Sequence, residues 1–411
     1  MKKTMGAPLK VLMLQGPPTR FWWELGAGLR DAGHRVSKVH FCLGDRLYWR
    51  GGGDMTYRGP VRAWPDWLEA YCQTNGITDI LYFADRLPYH RLAARVAARV
   101  GARAWAIENG YLRPFWLKLE PFGMGRHSRF PKSPERIRHL AEGLEEPGPP
   151  PDYNHAFARE AAPDVGFHLA NLAGRPVYRH YASDRYYSPI VEYLSWVPRV
   201  ARQMAARRRF AEIEQNCASG VWRYTLLAMQ LQMDYQIRHS SDYTHLSEML
   251  EEVIASFALN APADRHLVIK SHPADNGTEN WGRQIAQIAA ARRVSDRVHW
   301  IDGGDLDTLL DNAVGLVTVN STVGMFALRR GIPTIALGTA VYDIPGLTHQ
   351  AGLVQFWNES EPVDPSLASA LVSVLAHRLQ VRGSFHNPQG RARGIEEIVS
   401  RLQQPHQYWT G

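Results

Sequence analysis

Cysteine is nearly absent from this chain: its 411 residues include 3, Cys42, Cys72 and Cys217, far apart and never in a C-x-x-C spacing. A disulfide framework and a cysteine zinc site are therefore not expected. No apolar run approaches the ~20 residues that a helix needs to cross a bilayer. The first one, Val11 to Leu14, is also too short for a signal peptide and is closed by Gly16-Pro17-Pro18, so a first buried strand is expected after the basic start Met1 to Gly6. The expectation is a soluble, cytoplasmic protein. A Walker A sequence is missing too. Gly26-Ala-Gly28 starts like a dinucleotide fingerprint, but Asp31 stands where the third glycine belongs. The pair also lies within a helix pattern, so its expected role is close helix packing. Asp305-Leu-Asp307 follows Gly303-Gly304 and opens a helix, where an aspartate caps free N–H groups. His239 and His245 are not spaced i, i+4, and no metal site is expected.

What is present is an ordinary globular composition, 45% hydrophobic and 21% charged, in a chain long enough for two domains. A net charge of +7 suits a polyanionic neighbour, although a solvated basic surface would give the same number. Much of the excess sits in Pro198 to Phe210, which reads as a basic amphipathic helix able to rest on anionic headgroups. No helix-turn-helix, zinc-finger or RNP pattern accompanies the charge, so nucleic acid is not the expected partner.

The first part of the chain alternates strand and helix. Val11 to Leu14, Arg35 to Phe41, Asp79 to Phe83 and Ala102 to Ile107 read as strands, with helices at Phe21 to Asp31 and Tyr89 to Val100. Residues 131–220 hold a Pro-rich stretch, Glu146 to Asp152, and then long helical patterns. Strands resume at His266 to Lys270, Val298 to Ile301, Gly315 to Val319 and Pro333 to Leu337. Short apolar strands alternating with helices indicate parallel sheets covered on both faces. The expected fold is α/β, with two facing Rossmann-like domains and a ligand cleft between them: the GT-B glycosyltransferase architecture. Residues 1–220 would form an acceptor-side domain carrying the helical insertion at about 131–220, and residues 221–411 a nucleotide-sugar-binding domain with C-terminal helices.

Several strand ends carry chemistry. Asn320-Ser321-Thr322 lies between a strand and a helix, where two hydroxyls beside free N–H groups suit a phosphate. Lys270-Ser271-His272-Pro273 ends another strand and could balance the charge of a departing phosphate. Gln230 to Arg238 alternates polar and apolar, so a strand would gather Gln230, Gln232, Asp234, Gln236 and Arg238 on one face, suited to a polyhydroxylated acid sugar. Glu108 to Pro114 offers the carboxylate of Glu108 and the guanidinium of Arg113. Asp234 and Glu108 would supply the two carboxylates that glycosyl transfer with retention uses. Each motif alone has a plainer reading, as a helix cap, a solvated strand face or a turn.

Together these residues resemble a family. Leu14-Gln-Gly-Pro17, Gly33-His-Arg-Val36, Leu43-Gly-Asp45, Asp85 to His90, Glu108 to Pro114, Gln230 to Arg238, Lys270 to Pro273, Asn320 to Thr322 and Val341 to His349 are similar, in this order, to motifs of the capsule polysaccharide Kdo transferases of the KpsS type. The resemblance implies a retaining β-Kdo transferase of GT-B fold. It would use CMP-Kdo as donor, with no cofactor or catalytic metal, and an anionic lysophospholipid such as lysophosphatidylglycerol as acceptor. It implies Asp234 as nucleophile, Glu108 as general acid/base, and Lys270, His272, Ser321 and Thr322 as residues holding CMP. Ser271, Asn320, Gln232, Gln236, Arg238, Arg113, Gly16 and Tyr342 would complete the substrate contacts. Other capsule assembly proteins and the inner face of the inner membrane would be its partners. Another CMP- or UDP-sugar transferase of the same fold, or a non-catalytic glycolipid-binding assembly protein, stands as the alternative. Tyr235 departs from the pattern, in which a small residue follows the aspartate.

Overall fold

A computed structural model describes residues 7–156 and 158–404, so the basic start Met1 to Gly6 lies outside the described residues. In chain order the strands are β1 (Lys10–Met13), β2 (Arg35–His40), β3 (Asp54–Thr56), β4 (Asp79–Phe83), β5 (Arg103–Asn109), β6 (Trp116–Pro121), β7 (Arg223–Ala228), β8 (Arg265–Lys270), β9 (Val298–Ile301), β10 (Gly315–Thr318), β11 (Thr334–Ala336) and β12 (Gln380–Arg382). They form two sheets, ordered β12-β6-β5-β4-β1-β2-β3 and β11-β10-β7-β8-β9.

In the first sheet β3 to β5 run parallel, outward in both directions from the neighbours β1 and β4. β6 and β12 add an antiparallel edge. Val11, Leu12 and Met13 are fully buried, because helices cover both faces and a polar position has no solvent to meet. The helix Phe21–Asp31 places Phe21, Trp22, Leu25 and Leu29 against the sheet. Gly26 and Gly28 do serve packing: a Cβ on Gly26 would stand 2.7 Å from the Trp49 ring, and one on Gly28 3.0 Å from Ile395 of the helix Pro388–Leu402. The second sheet is wholly parallel. Its chain runs one way through β7, β8 and β9 and the other way through β10 and β11, so the switch point lies between β7 and β10. Ligands of doubly wound sheets bind outside the carboxyl ends of the strands at such a point.

Each sheet is the centre of one compact Rossmann-like unit, and two such units in one chain are the composition expected of GT-B. The boundaries differ from those expected. Met1–Phe130, Leu144–Asp184 and Ser373–Gly411 make up the first unit, while Pro131–Gly143 and Arg185–Val372 make up the second. The middle segment is thus divided rather than inserted whole. The long helix Pro189–Ala218 joins the second unit because Phe210, Ile213 and Cys217 pack with Tyr224, Leu226, Val268 and Ile301. The last strand and helix return to the first unit. β12 extends the sheet through β6, and Ile395, Ile398 and Leu402 share a core with Val11, Phe21 and Leu25.

One expected strand is absent. Gln230 to Asp234 is irregular, and Tyr235–Ser240 is a short helix. Asp234 caps it, its Oδ1 accepting the Gln236 N–H at 2.9 Å, so the cap overrides the polar–apolar alternation. Asp305 likewise caps Leu306–Asp311, accepting the Thr308 N–H at 2.8 Å, which is the role expected of it.

Candidate functional site

Gln230 and Asn320 leave the ends of β7 and β10, side by side at the switch point of the second sheet. They bond reciprocally: Gln230 Nε2 donates to Asn320 Oδ1 at 2.7 Å, and the Asn320 N–H donates to Gln230 Oε1 at 2.9 Å. Asn320 Nδ2 reaches the Gln236 carbonyl at 3.3 Å. Gln236 in turn donates its N–H to Asp234, and its Oε1 accepts the Ser240 hydroxyl at 2.8 Å. Gln230, Asp234, Gln236 and Asn320 therefore form one connected network. Beside it the buried Tyr342 donates its hydroxyl to the Ser321 carbonyl at 2.5 Å. Ser321 Oγ accepts the Val323 N–H at 3.2 Å, while Thr322 occupies the N-cap position of the helix Val323–Arg329 without a side-chain bond.

The remaining residues of the second unit go elsewhere. Gln232 is buried and faces the start of the helix Leu246–Asn260, its Oε1 accepting the Leu246 N–H at 2.7 Å. Arg238 lies over the Tyr186 ring at 5.5 Å. The single polar face read from the alternation is thus divided, with Gln232 and Arg238 facing other partners. Lys270 Nζ donates to the Gly303 carbonyl at 2.7 Å, and burial lowers its pKa against the opposing pull of Asp302. Ser271 Oγ accepts the Trp300 indole N–H at 2.8 Å, and His272 Nδ1 accepts the Ala274 N–H at 3.1 Å.

The loop after β8 is clamped from outside. Arg199, on the long helix and buried, makes a two-point pair with Asp302, at 3.2 Å to Oδ2 and 2.7 Å to Oδ1. It also donates to the carbonyls of Pro273 and Asp275. Neither Arg199 nor Asp302 stood out in the sequence, where Arg199 belongs to the basic segment.

In the first unit Gly16 packs under Trp22, whose ring a Cβ would approach to 2.3 Å. Glu108, near the end of β5, faces Lys118 across the antiparallel pair with β6, and Lys118 Nζ lies 3.2 Å from its Oε2. Arg113 is exposed in the loop beyond. Sequence reasoning missed the group around this pair. Glu120, buried on β6, accepts the Tyr111 hydroxyl at 2.9 Å and the Ser128 hydroxyl. Burial raises its pKa to about 7. Asp85, fully buried after β4, accepts the Met124 N–H at 2.8 Å, and burial raises its pKa too. The available signal was Lys118-Leu-Glu120, two charges one strand repeat apart in a segment otherwise apolar enough to be buried. Among the described residues, no three His, Cys, Asp or Glu side chains are grouped to hold a metal ion.

A model of the family described as "Capsule polysaccharide biosynthesis protein" matches residues 78–386, from the residue before β4 to beyond β12. The chain belongs to this family. It is 31% identical to the Escherichia coli "Capsule polysaccharide export protein KpsS", covering 92% of this chain and 97% of that one. It is 29% identical to the Neisseria meningitidis serogroup A "Capsule polysaccharide modification protein LipB", covering 92% and 91%. A solved structure, "Thermosulfurimonas dismutans KpsC, beta Kdo 2,7 transferase", is similar at 15% identity with a TM-score of 0.48, covering 97% of this chain and 99% of that one. The family match includes both the Glu108 group and the network at the second switch point. No helix among the described residues is long and apolar enough to cross a membrane.

Proposed function

We propose that this protein is a retaining β-Kdo transferase that moves Kdo from CMP-Kdo onto an anionic lysophospholipid, beginning the lipid-linked part of a capsule polysaccharide. The observation that carries the reading is the network of Gln230, Asp234, Gln236 and Asn320 at the switch point of the second sheet, where such sheets bind ligands. Its amides and carboxylate suit a sugar with many hydroxyls. Asp234 acts as nucleophile on the anomeric carbon, and Glu108 as general acid/base toward the acceptor hydroxyl. Lys270, His272, Ser321 and Thr322 lie at the same edge of the second sheet and hold the CMP phosphate, so departure of CMP is eased by cations and N–H groups. No metal takes part in this scheme, and turnover is expected to survive EDTA.

Ser321→Ala and His272→Ala test the donor side. Each removes one acceptor of a local N–H bond outside the core, so the fold is expected to remain. CMP affinity, read by calorimetric titration, is expected to fall about tenfold in each, the scale of one hydrogen bond to a charged phosphate. Unchanged affinity in both variants removes these residues from the donor site.

The lipid side of the proposal is supported by the outer face of the long helix. Leu194, Val197 and Met204 are 67%, 72% and 73% exposed, and Arg207, Arg208 and Arg209 follow them, also exposed. An apolar stripe ending in cations suits the surface of an anionic bilayer. Replacing the three arginines by Gln is expected to lower sedimentation with phosphatidylglycerol vesicles by roughly two orders of magnitude, at about 1 kcal/mol for each charge. Turnover of a short-chain soluble acceptor should persist. Equal sedimentation of both proteins would make this an ordinary solvated helix.

A further inference from the structure

One helix of the first unit carries an apolar stripe that the described residues leave open to solvent. The packed side of the helix Ala158–Gly174 is formed by Phe167, Asn171 and Gly174, which meet the short helix Leu43–Leu47. Asn171 Oδ1 accepts the Gly44 N–H at 2.8 Å, and a Cβ on Gly174 would stand 2.6 Å from that of Leu43. On the opposite side Ala162, Val165, Leu169, Leu172 and Ala173 recur at helical spacing. Leu169 and Leu172 are 61% and 51% exposed. The turn that follows adds Val177, 50% exposed, between the exposed Arg175 and Arg179, and Arg179 Nε donates to the Pro176 carbonyl at 3.1 Å. The acids of the helix lie away from the stripe: Glu160 pairs with His155 at 3.6 Å and Asp164 with His168 at 3.3 Å. A run of exposed apolar side chains marks a contact surface. This one holds no Trp, Tyr or Arg of the kind that anchors protein interfaces. Aliphatic side chains closed at one end by cations suit instead the headgroup boundary of an anionic bilayer.

We propose that this stripe and the turn 175–179 form a lipid-contacting surface belonging to the first unit. Leu169, Leu172 and Val177 enter the boundary between headgroups and acyl chains, where they leave water, and Arg175 and Arg179 meet lipid phosphates. The inference rests on the reading of the protein as an enzyme with an anionic lipid acceptor and deepens it. The first unit holds the bilayer through its own helix, independently of the long helix Pro189–Ala218 of the second unit.

The test is sedimentation of the full chain with vesicles of phosphatidylglycerol and phosphatidylcholine in equal parts. Leu169→Gln/Leu172→Gln keeps good helix formers on an exposed face and is expected to lower partitioning about tenfold. Arg175→Gln/Arg179→Gln is expected to lower it about thirtyfold, by loss of two charges near an anionic surface. A second readout reports insertion at one position. The three native cysteines are buried, so a thiol introduced by Leu172→Cys can be labelled selectively with an environment-sensitive fluorophore. Its emission is expected to move to the blue on these vesicles, while a label introduced by Glu160→Cys, on the other side of the helix, stays as it is in water. Unchanged partitioning of Leu169→Gln/Leu172→Gln overturns the proposal. If replacing Arg207, Arg208 and Arg209 removes binding in that case, the lipid contact belongs to the long helix and the reading of a lipid acceptor stands. Self-association of the wild type without vesicles, lost in Leu169→Gln/Leu172→Gln, makes the stripe an interface between copies and overturns the proposal as well. Kdo transfer to a short-chain soluble acceptor is expected to be equal in wild type and both double variants. Its absence in the wild type overturns the transferase reading, and the partitioning of the variants still reports on the stripe.

Discussion

Asp234→Asn is expected to abolish Kdo transfer, lowering kcat by about four orders of magnitude or more, while CMP still binds with its wild-type affinity. In the proposed scheme the carboxylate faces the sugar and not the nucleotide. Asn is the informative replacement, because its side-chain oxygen can still accept the Gln236 N–H that Asp234 now holds at 2.9 Å, so the helix cap survives. Glu108→Gln is expected to slow turnover by about two to four orders of magnitude. It should also collect a sugar adduct on Asp234, because a proton must still leave the acceptor hydroxyl. Intact-protein mass spectrometry of Glu108→Gln with CMP-Kdo would then find one added Kdo mass. Robust turnover by Asp234→Asn sinks the nucleophile assignment, and so does an α-linked product, since one displacement inverts and two restore the configuration.

The largest effect on stability is expected at Arg199. Arg199→Met keeps the length of the side chain but leaves Asp302 buried without its two-point partner, and it frees the Pro273 and Asp275 carbonyls. Breaking a buried pair by removing one partner costs about 3–5 kcal/mol, which a urea titration resolves easily. CMP affinity should fall as well, because the loop from Lys270 to Asp275 loses its tether. Replacing Asp302 by Leu in the same chain should recover part of the stability, since no lone buried charge then remains. A loss below about 1 kcal/mol in Arg199→Met would place this pair with ordinary surface bridges.

The α/β class was legible because buried parallel strands leave short apolar runs, and Val11 to Leu14 or His266 to Lys270 can be read by eye. The unit boundaries were not legible. β12 is three residues long, Gln-Val-Arg, and joins a sheet whose other strands end more than 250 residues earlier, a pairing that no local pattern encodes. Gln230 to Arg238 misled for a related reason. A helix of six residues is too short for its 3.6-residue period to show, so a chance alternation looked like a strand. The placing of Glu108, Lys270 and Asn320 at or just beyond strand ends was legible because their sequence context is conspicuous. The burial of Glu120, Asp85 and Arg199 was not legible, because burial of a charge depends on partners remote in sequence.

The return of β12 and the helix Pro388–Leu402 to the first unit also bears on how the chain is made. Domains usually form in the order in which they leave the ribosome. Here the order is reversed: all of the second unit, through Val372, has emerged before the first unit can add its edge strand and the helix that carries Ile395, Ile398 and Leu402. Until then Val11, Phe21 and Leu25 lack part of their cover, and the nascent first unit exposes an apolar face beside an unpaired β6 edge. A chain cut between Val372 and Gln380 would thus hold every residue of the second unit, while its first unit, lacking the edge strand and the last helix, stays open to proteases and chaperones.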